Sequence, residues 1–323
     1  MRGQTARVAA VIAIVFWAGF ASTQEYPNRP IRLSHTGAPG ATNDVVARLL
    51  TQRMGAELGQ QIIVEARPQG IGIPAVQAVT SATPDGYTLL FTNTGTHSIT
   101  PAIYKTLPYD IFRDFDPISV VATVPFVLVI NKDVPASSVG ELIALLKKEP
   151  GKYLFASSGK GTPGHLAAEL FKMRAGVEAV HVPYRGAGPA IVDLLGGRVH
   201  VLFDNPPSVL PHIQSGAVRA LGTTDARRLE MLPNLPTLIE VGLAGADLAS
   251  WYGFAAPKGT PRSVIDRLNA SILQAIKDPE VERRLKELGA VLWGSSPAEM
   301  TDFMRRQLAK WQAVVETAGI KPD

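Results

Sequence analysis

One structural unit recurs along the chain and limits the folds that it can adopt. Each copy has an apolar run, a loop rich in glycine, serine and threonine, and a segment with helical apolar spacing. In the first copy these parts are residues 31–33, 36–42 and a helix that ends at Gly59. The apolar residues of this helix are Val46, Leu49, Leu50, Met54 and Leu58. The repeated order predicts βαβ elements of a parallel or mixed sheet, and therefore an α/β fold.

The units fall into two series, which indicates two lobes. The first series continues with predicted strands at 61–65 and 87–91, and the second begins at 126–131. The second series adds strands at 153–156, 178–182 and 199–203 and helices at 164–175 and 187–195. The spacing of Val264, Leu268 and Ile272 predicts a later helix that packs away from the middle segment. We expect residues 25–123 and 249–323 to form lobe 1, and residues 124–248 to form lobe 2.

The first residues have the order of a secretory signal. Arg2 and Arg7 precede a thirteen-residue apolar run at 8–20, and small residues follow at Ala21 and Ser22. A membrane span needs about twenty apolar residues, so an uncleaved anchor is the alternative that we favour less. The sequence therefore predicts a signal peptide at 1–21, cleavage after Ala21, and a periplasmic protein.

Composition argues against several classes of function. The chain has no cysteine, so its core alone must hold the fold. Arg2 and Arg7 account for two of the 32 basic residues, which leaves 30 bases against 28 acids after cleavage, or a net charge of +2. The charges are interspersed, and aromatic residues do not alternate with basic clusters, so we expect no nucleic-acid partner. No histidine pair or acidic cluster has metal-ligand spacing, and we predict no metal site.

Four loops lie where predicted strands end, the position at which α/β proteins bind ligands. They are residues 37–42, 92–97, 157–162 and 184–187, here called the first, second, third and fourth loops. Glycines and free N–H groups at helix starts can hold a carboxylate there without a buried arginine. Each loop taken singly is also consistent with a simple helix cap, provided for example by Thr42 or Thr162. The candidate ligand residues in the loops are Ala38, Pro39, Gly40, Ala41, Thr42, Thr94, His97, Ser157, Ser158, Gly159, Thr162, Tyr184, Gly186 and Ala187.

Two alternatives depend on the third loop. Gly159, Gly161 and Gly164 match the dinucleotide fingerprint, but no acidic residue ends the next predicted strand, so we predict no cofactor. Ser157 or Ser158 with His165 and Asp204 would suit a serine hydrolase, although the chain lacks a G-x-S-x-G elbow. His165 and His97 are equally consistent with structural hydrogen bonds. Asp204 has two interpretations, since it can meet an amino group of a ligand or cap Asn205 and the following turn.

Motifs along nearly the whole mature chain resemble those of the Bug family, the periplasmic substrate-binding proteins of tripartite tricarboxylate transporters. In the first half they are Tyr26-Pro27-Asn28-Arg29-Pro30-Ile31-Arg32, Ala38-Pro39-Gly40 with Asp44, Pro84-Asp85-Gly86-Tyr87-Thr88-Leu89-Leu90 and Leu107-Pro108-Tyr109-Asp110. In the second half they are Ser157-Ser158-Gly159 with Gly161-Thr162 and His165-Leu166-Ala167, His181-Val182-Pro183-Tyr184-Arg185-Gly186, Phe203-Asp204-Asn205, and Trp251-Tyr252-Gly253 with Ala256-Pro257-Lys258-Gly259-Thr260-Pro261.

The resemblance implies a two-lobed periplasmic-binding-protein fold of the Venus-flytrap, type II-like kind. It also implies a carboxylate ligand held by backbone amides, hydroxyls and waters of the first and third loops, in a protein that is not an enzyme. The residues carried over are Pro39, Gly40, Asp44, Ser157, Ser158, Gly159, Thr162, His165 and Asp204. The implied partner is the membrane permease of such a transporter, with a sensor protein as the alternative, and we expect a monomer.

Two departures from the family pattern affect the predicted pocket. Ala41 stands where a second glycine is usual, and Gly37 stands where a phenylalanine or similar residue is usual. The segment 66–73 is also more apolar than its family counterpart. These departures leave open a differently shaped carboxylate grip, a larger or more hydrophobic ligand, or simple drift.

Overall fold

The computed structural model of the chain describes residues 26–37, 39–69, 72–317 and 319. The predicted signal peptide and Ala38 lie outside the described residues. In chain order the strands are β1 Ile31–His35, β2 Ile62–Ala66, β3 Thr88–Asn93, β4 Phe115–Pro125, β5 Val127–Asn131, β6 Leu154–Ser157, β7 Val180–Pro183, β8 Val201–Asp204, β9 Val218–Thr223, β10 Ala249–Pro257 and β11 Val291–Leu292. The helices are α1 Thr42–Leu58, α2 Ile73–Thr80, a π-helix Gly95–Ile99, α3 Thr100–Ile103, α4 Val139–Lys148, α5 Pro163–Ala175, α6 Ala187–Leu195, α7 Pro206–Gln214, α8 Arg262–Ile276, α9 Pro279–Glu287 and α10 Pro297–Thr317.

The strands of the described residues form two mixed sheets. The larger has the order β11-β4-β10-β3-β1-β2, and the smaller has the order β7-β6-β8-β5-β9. β1 pairs in parallel with β2 and β3, so Leu33 lies beside both Val64 and Leu89. β10 comes from the far end of the chain and inserts antiparallel between β3 and β4. The α/β class is therefore confirmed, and both sheets are of the mixed type.

Each sheet buries an apolar core on both faces, which accounts for the apolar stripes of the helices. On the larger sheet α1, α8 and α9 cover one face, while α2 and the first half of α10 cover the other. On the smaller sheet α4 and α5 cover one face, and α6 and α7 cover the other. The bounds of α5 were predictable from the sequence because residues at its ends mark them. Thr162 caps its start, Pro163 occupies its first turn, and Gly176 ends it with φ 61°.

The chain crosses between the sheets at two neighbouring places. β4 runs into β5 through Pro125 and Phe126, and the segment after β9 returns to β10 through Leu248. Thr224 joins the two crossings, because its N–H donates to the Phe126 carbonyl at 2.9 Å and its carbonyl accepts the Leu248 N–H at 2.7 Å. These paired crossings connect the two sheets covalently.

The C-terminal helix α10 contacts the cores of both sheets. Met300 and Met304, in its first half, pack with Trp251 against the larger sheet. Trp311 and Val314, in its second half, are buried in the core of the smaller sheet. The described part of α10 therefore bridges the two sheets, although its residues fall within the span predicted for lobe 1. The division at 123/124 and 248/249 stays a prediction.

Candidate functional site

A cleft of about 290 Å³ lies between the two sheets. Its lining residues are Ala41, Thr42, Asn43, Asn93, Thr94, Gly95, Ser250 and Tyr252 from the side of the larger sheet, and Pro163 and Asn205 from the side of the smaller one. Not one of these residues has a charged side chain. The starts of four helices meet there, because the lining includes the first residues of α1, the π-helix and α5, and the residue that precedes α7.

The start of α1 offers the most accessible hydrogen-bond donors. The structure corrects the interpretation of Thr42 as a cap: α1 begins at Thr42, and Ala41 occupies the cap position without a side-chain hydrogen bond. The first N–H bonded within the helix is that of Val45, which donates to the Ala41 carbonyl. The preceding amides of this turn have no intrahelical acceptor, and the helix dipole adds positive potential at this end. An anion can bind here without a cationic side chain.

Asp44 holds the first loop from inside instead of lining the cleft. Its carboxylate accepts the Gly40 N–H at 2.9 Å and the Arg48 Nε–H at 2.9 Å. Burial opposes ionisation of Asp44, but the hydrogen bonds from Arg48 and Gly40 outweigh burial and lower its pKa. On the same loop the Gly37 N–H donates to His35 Nδ1 at 3.2 Å. These two contacts fix the inner face of the loop, so that Pro39 and Gly40 are exposed at its tip.

The second loop divides between the cleft and the core. Thr94 and Gly95 line the cleft, and the Thr94 hydroxyl accepts the Trp251 N–H at 2.6 Å. His97 lies in the π-helix with its ring fully buried against Phe115 and Trp251. Its Nδ1 is 2.6 Å from the Thr92 hydroxyl, and burial lowers its pKa to about 3. The structure therefore places His97 in the core as a neutral residue, away from the cleft lining.

On the side of the smaller sheet, Asp204 and Asn205 follow β8. Asp204 Oδ1 accepts the Asn205 N–H at 2.7 Å, so the capping contact proposed for Asp204 is present. Asp204 Oδ2 is buried without a hydrogen-bond partner among the described residues, and burial raises the pKa of this carboxyl to about 6. The Asn205 side-chain amide donates to the Pro125 carbonyl at 3.1 Å, which ties this wall of the cleft to the crossing between the sheets.

The third and fourth loops pack against each other behind Pro163. The Gly186 N–H donates to the Ser158 carbonyl at 3.1 Å, and Ala187 begins α6. The Tyr184 hydroxyl donates to Asp193 at 2.7 Å and so points along α6. Thr162 accepts the His165 N–H at 3.5 Å, which confirms it as a helix cap. Among the described residues, none of the predicted residues of these two loops lines the cleft, and Pro163 and Asn205 are the ones that line it on this side.

The geometry of Ser157 differs from that of a hydrolase nucleophile. Its side chain is fully buried, and its hydroxyl donates to the Gly159 carbonyl at 3.0 Å. The histidine beside it is His181, with Nε2 2.7 Å from Ser157 Oγ, whereas His165 stacks behind that ring. The trio of serine, His165 and Asp204 considered from the sequence is therefore not assembled around Ser157. In the described residues, no group of three potential metal ligands is found, and no helix is long and apolar enough to cross a membrane.

Sequence reasoning missed several residues of the cleft. Asn43, Asn93 and Gly95 lie beside predicted positions, whereas Ser250 and Tyr252 come from β10, more than 150 residues further along the chain. Tyr252 is almost fully buried, and burial raises the pKa of its hydroxyl well above the ordinary range, so it stays a neutral donor. The signal that could have identified them is the Trp251-Tyr252-Gly253 motif, which marks a strand directed at the cleft.

Two α/β lobes that are joined by paired crossings and enclose an uncharged polar cleft define the class of two-lobed solute-binding proteins. Within that class, the family model described as tripartite tricarboxylate transporter family receptor matches residues 46–320, and the chain belongs to this family. The resemblance to the Bug proteins is thereby confirmed. The match favours the transporter receptor over the sensor module considered as an alternative.

Solved structures agree with this assignment over most of the chain. The periplasmic binding protein BugD is 33% identical with a TM-score of 0.78, and the match covers 92% of this chain and 100% of BugD. Rpa4515 of R. palustris, solved with adipate, is 36% identical with a TM-score of 0.81 over 93% of this chain and 100% of Rpa4515. MatC of Rhodopseudomonas palustris, solved with malate, is 30% identical with a TM-score of 0.77 over 90% and 100% of the two chains. The two-lobed periplasmic-binding-protein fold is therefore confirmed.

Proposed function

We propose that this protein reversibly captures a small dicarboxylate in the cleft between its lobes and presents it to the permease of a tripartite tricarboxylate transporter. The observation that carries the proposal is the meeting of four helix starts in a cleft whose lining has no charged side chain. Helix N-termini attract anions and disfavour cations, so a carboxylate is the group that this lining suits.

The two walls of the cleft suggest how the ligand lies. One carboxylate binds the free N–H groups at the start of α1, where Ala41 leaves the helix uncapped. The Tyr252 hydroxyl and the Asn93 amide offer further donors on the same wall. The second polar end of the ligand reaches Pro163 and Asn205, so that contacts to both lobes favour closure. The relatives solved with adipate and malate support a dicarboxylate that is similar in size to these two acids.

The proposal also states that the protein is exported and that it does not alter its ligand chemically. Residues 1–21 act as the signal peptide that sends the chain to the periplasm, where the family match implies a transporter as the partner. The ligand is bound and released unchanged, because the Ser157 hydroxyl is buried and donates to the Gly159 carbonyl. The protein acts as a monomer, with the permease as its macromolecular partner.

The first test is a thermal-shift screen of the full chain after its expression and purification from a bacterial periplasm. The protein is unfolded and refolded to remove resident ligand, then heated with adipate, malate and other dicarboxylates. A ligand at a hundred times its dissociation constant adds about 2.7 kcal/mol to the free energy of unfolding. N-terminal sequencing of the same material tests the predicted cleavage after Ala21.

The matched control for each stabilising acid is its diamide, which keeps the length and shape but lacks the charge. Stabilisation by the acid alone supports the helix-start grip. If the diamide stabilises the protein as strongly as the acid, the carboxylate interpretation is wrong. If no acid on the panel stabilises the protein, capture of a dicarboxylate is refuted.

A further inference from the structure

Two histidines of the smaller sheet lie face to face directly behind the third loop. The rings of His165, in the first turn of α5, and His181, in β7, are 3.8 Å apart between centroids with an angle of 22° between their planes. His165 is 5% exposed, whereas His181 is partly exposed. Two imidazolium ions at this separation would repel each other strongly, so the stack accepts one positive charge at most.

Both rings hold the third loop through hydrogen bonds. The Gly161 N–H donates to His165 Nδ1 at 3.1 Å, and a backbone amide can only donate. His165 Nδ1 is therefore unprotonated, and the ring proton is on Nε2. His181 Nε2 is 2.7 Å from Ser157 Oγ, whose proton goes to the Gly159 carbonyl, so His181 also carries its proton on Nε2. The hydrogen bond from Gly161 thus requires a neutral His165, whereas the contact of His181 with Ser157 needs only a proton on Nε2.

Charged groups face the pair from α5. His165 Nε2 is 3.5 Å from a carboxylate oxygen of Glu169, and Glu169 is paired with Lys172 at 2.7 Å. From β6 and β7 the neighbours are the Ser157 hydroxyl and backbone groups. Burial lowers the pKa of His181 to about 4, with His165 and Lys172 acting in the same direction and Glu169 against them. Glu169 therefore faces His165 Nε2, while the amide of Gly161 faces Nδ1.

We propose that His165 and His181 are positioning residues that hold the third loop in its ligand-binding shape, and that a proton taken up at His165 Nδ1 releases the loop and the ligand. This inference rests on the proposed function. A proton on His165 Nδ1 would face the Gly161 N–H, so the hydrogen bond between them is lost and the two groups repel. Gly161 also adjoins α3, because a Cβ at this position would lie 3.5 Å from the Ile103 side chain. A shift of the loop therefore also alters its contact with α3.

The test uses variants that keep each hydrogen bond but cannot titrate. In His165→Asn the side-chain oxygen replaces Nδ1 as acceptor, and in His181→Gln the amide replaces Nε2–H as donor. The dissociation constant of adipate is measured by calorimetry from pH 8 to pH 4.5 for these variants and for the unaltered chain. If a proton on His165 Nδ1 releases the ligand, the affinity of the unaltered chain falls by up to tenfold per pH unit once that nitrogen is protonated. The double variant should show no such fall relative to its own affinity at pH 8.

His200→Asn is the matched control, because His200 Nδ1 also accepts a backbone N–H, that of Leu154, but lies away from the third loop. It should keep the acid profile of the unaltered chain. Comparison with the same ligand cancels the titration of adipate itself. If the double variant keeps the full acid-dependent loss of affinity, the proposal is overturned.

A second measurement needs no ligand, so a failure of adipate binding is distinguishable from a failure of the histidine inference. Imidazole ¹⁵N chemical shifts of the unaltered, ligand-free chain at pH 7.5 report the tautomer of each histidine. Neutral Nε2–H tautomers at both His165 and His181 are expected. A charged ring, or an Nδ1–H tautomer at His165, would contradict the inference whatever the ligand proves to be.

Discussion

Replacement of Ala41 by aspartate should stabilise the protein and weaken ligand binding at the same time. Ala41 is exposed, has cap geometry with φ −70° and ψ 161°, and makes no side-chain cap hydrogen bond. A cap residue in place of alanine contributes about 1 kcal/mol, and a negative charge at a helix start adds about 0.3–1 kcal/mol. For a chain of this size the gain corresponds to a rise in Tm of about 2–4 °C.

The same aspartate takes the N–H groups that the ligand needs. Loss of two charge-assisted hydrogen bonds costs about 3 kcal/mol, which is roughly a hundredfold rise in the dissociation constant. Thermal unfolding and calorimetry with the stabilising dicarboxylate measure the two effects on one preparation. Ser138→Ala is the converse control, because Ser138 caps α4 by accepting the Glu141 N–H far from the cleft.

A general disturbance of the fold would lower both Tm and ligand affinity, whereas this prediction changes the two in opposite directions. Ala41→Asp should raise Tm and weaken binding, whereas Ser138→Ala should lower Tm by a similar amount and leave binding unchanged. Ala41→Ser supplies a cap without charge, so it should stabilise the helix and weaken binding less. If Ala41→Asp binds the dicarboxylate with unchanged affinity, the start of α1 is not where the carboxylate binds.

Three further changes test the packing and the buried charge by urea unfolding. Gly164→Ala should lower the free energy of unfolding by about 1–3 kcal/mol, because its Cβ would lie 2.7 Å from the Phe203 carbonyl oxygen. In the control Gly140→Ala, the new Cβ has no contact closer than 3.9 Å, so the change should be near neutral. Equal effects of the two variants would contradict the argument. Asp204→Asn should raise the free energy of unfolding by about 2 kcal/mol at pH 7.5 and not at pH 4. The folded-state pKa of Asp204, about 6, lies above the ordinary value of an aspartate, so the stability of the unaltered chain falls as pH rises between these two values. A gain in stability that is independent of pH would refute the reasoning. Trp311→Ala should cost about 3–5 kcal/mol, since this fully buried side chain completes the core of the smaller sheet; a cost below 1 kcal/mol would show that the end of α10 is dispensable.

The strands and helices were largely predictable because their signals are local. The predicted helix at 187–195 has the observed bounds, and that at 164–175 differs by one residue, since glycine and proline mark their ends. The strand predicted at 199–203 is observed one to two residues later, at Val201–Asp204. The carbonyl of His200 still accepts the Asn131 N–H, but pairing with β5 and β6 starts at Val201. Such differences arise where the partner strand, and not the sequence itself, decides where pairing begins.

The site was less predictable because it depends on which loops meet. The polar run 92–97 indicated a ligand loop, but its second part continues into a π-helix that buries His97. The Thr92 hydroxyl satisfies one ring nitrogen, while Nε2 is buried without a hydrogen-bond partner among the described residues and the ring packs against Phe115. No local pattern separates a polar side chain that is buried in the core from one that faces a ligand, and the insertion of β10 beside β3 is a long-range event.

The uncharged lining of the cleft affects how easily a captured ligand can be released. A buried arginine would hold a carboxylate by an ion pair, and breaking such a pair when the lobes open is costly. Helix starts instead provide fixed partial charges, and water can take the place of the ligand at their N–H groups as the cleft opens. The ligand is therefore held without a fully charged side chain on the protein. In the proposed binding arrangement, the α1 grip belongs to one lobe and is the same whether the lobes are open or closed. Only contacts that closure adds can shift the equilibrium, and in this arrangement they lie at Pro163 and Asn205, which line the other wall. Substitutions at α1 should therefore change the affinity of both states alike, whereas substitutions at Asn205 should change the extent of closure at saturating ligand.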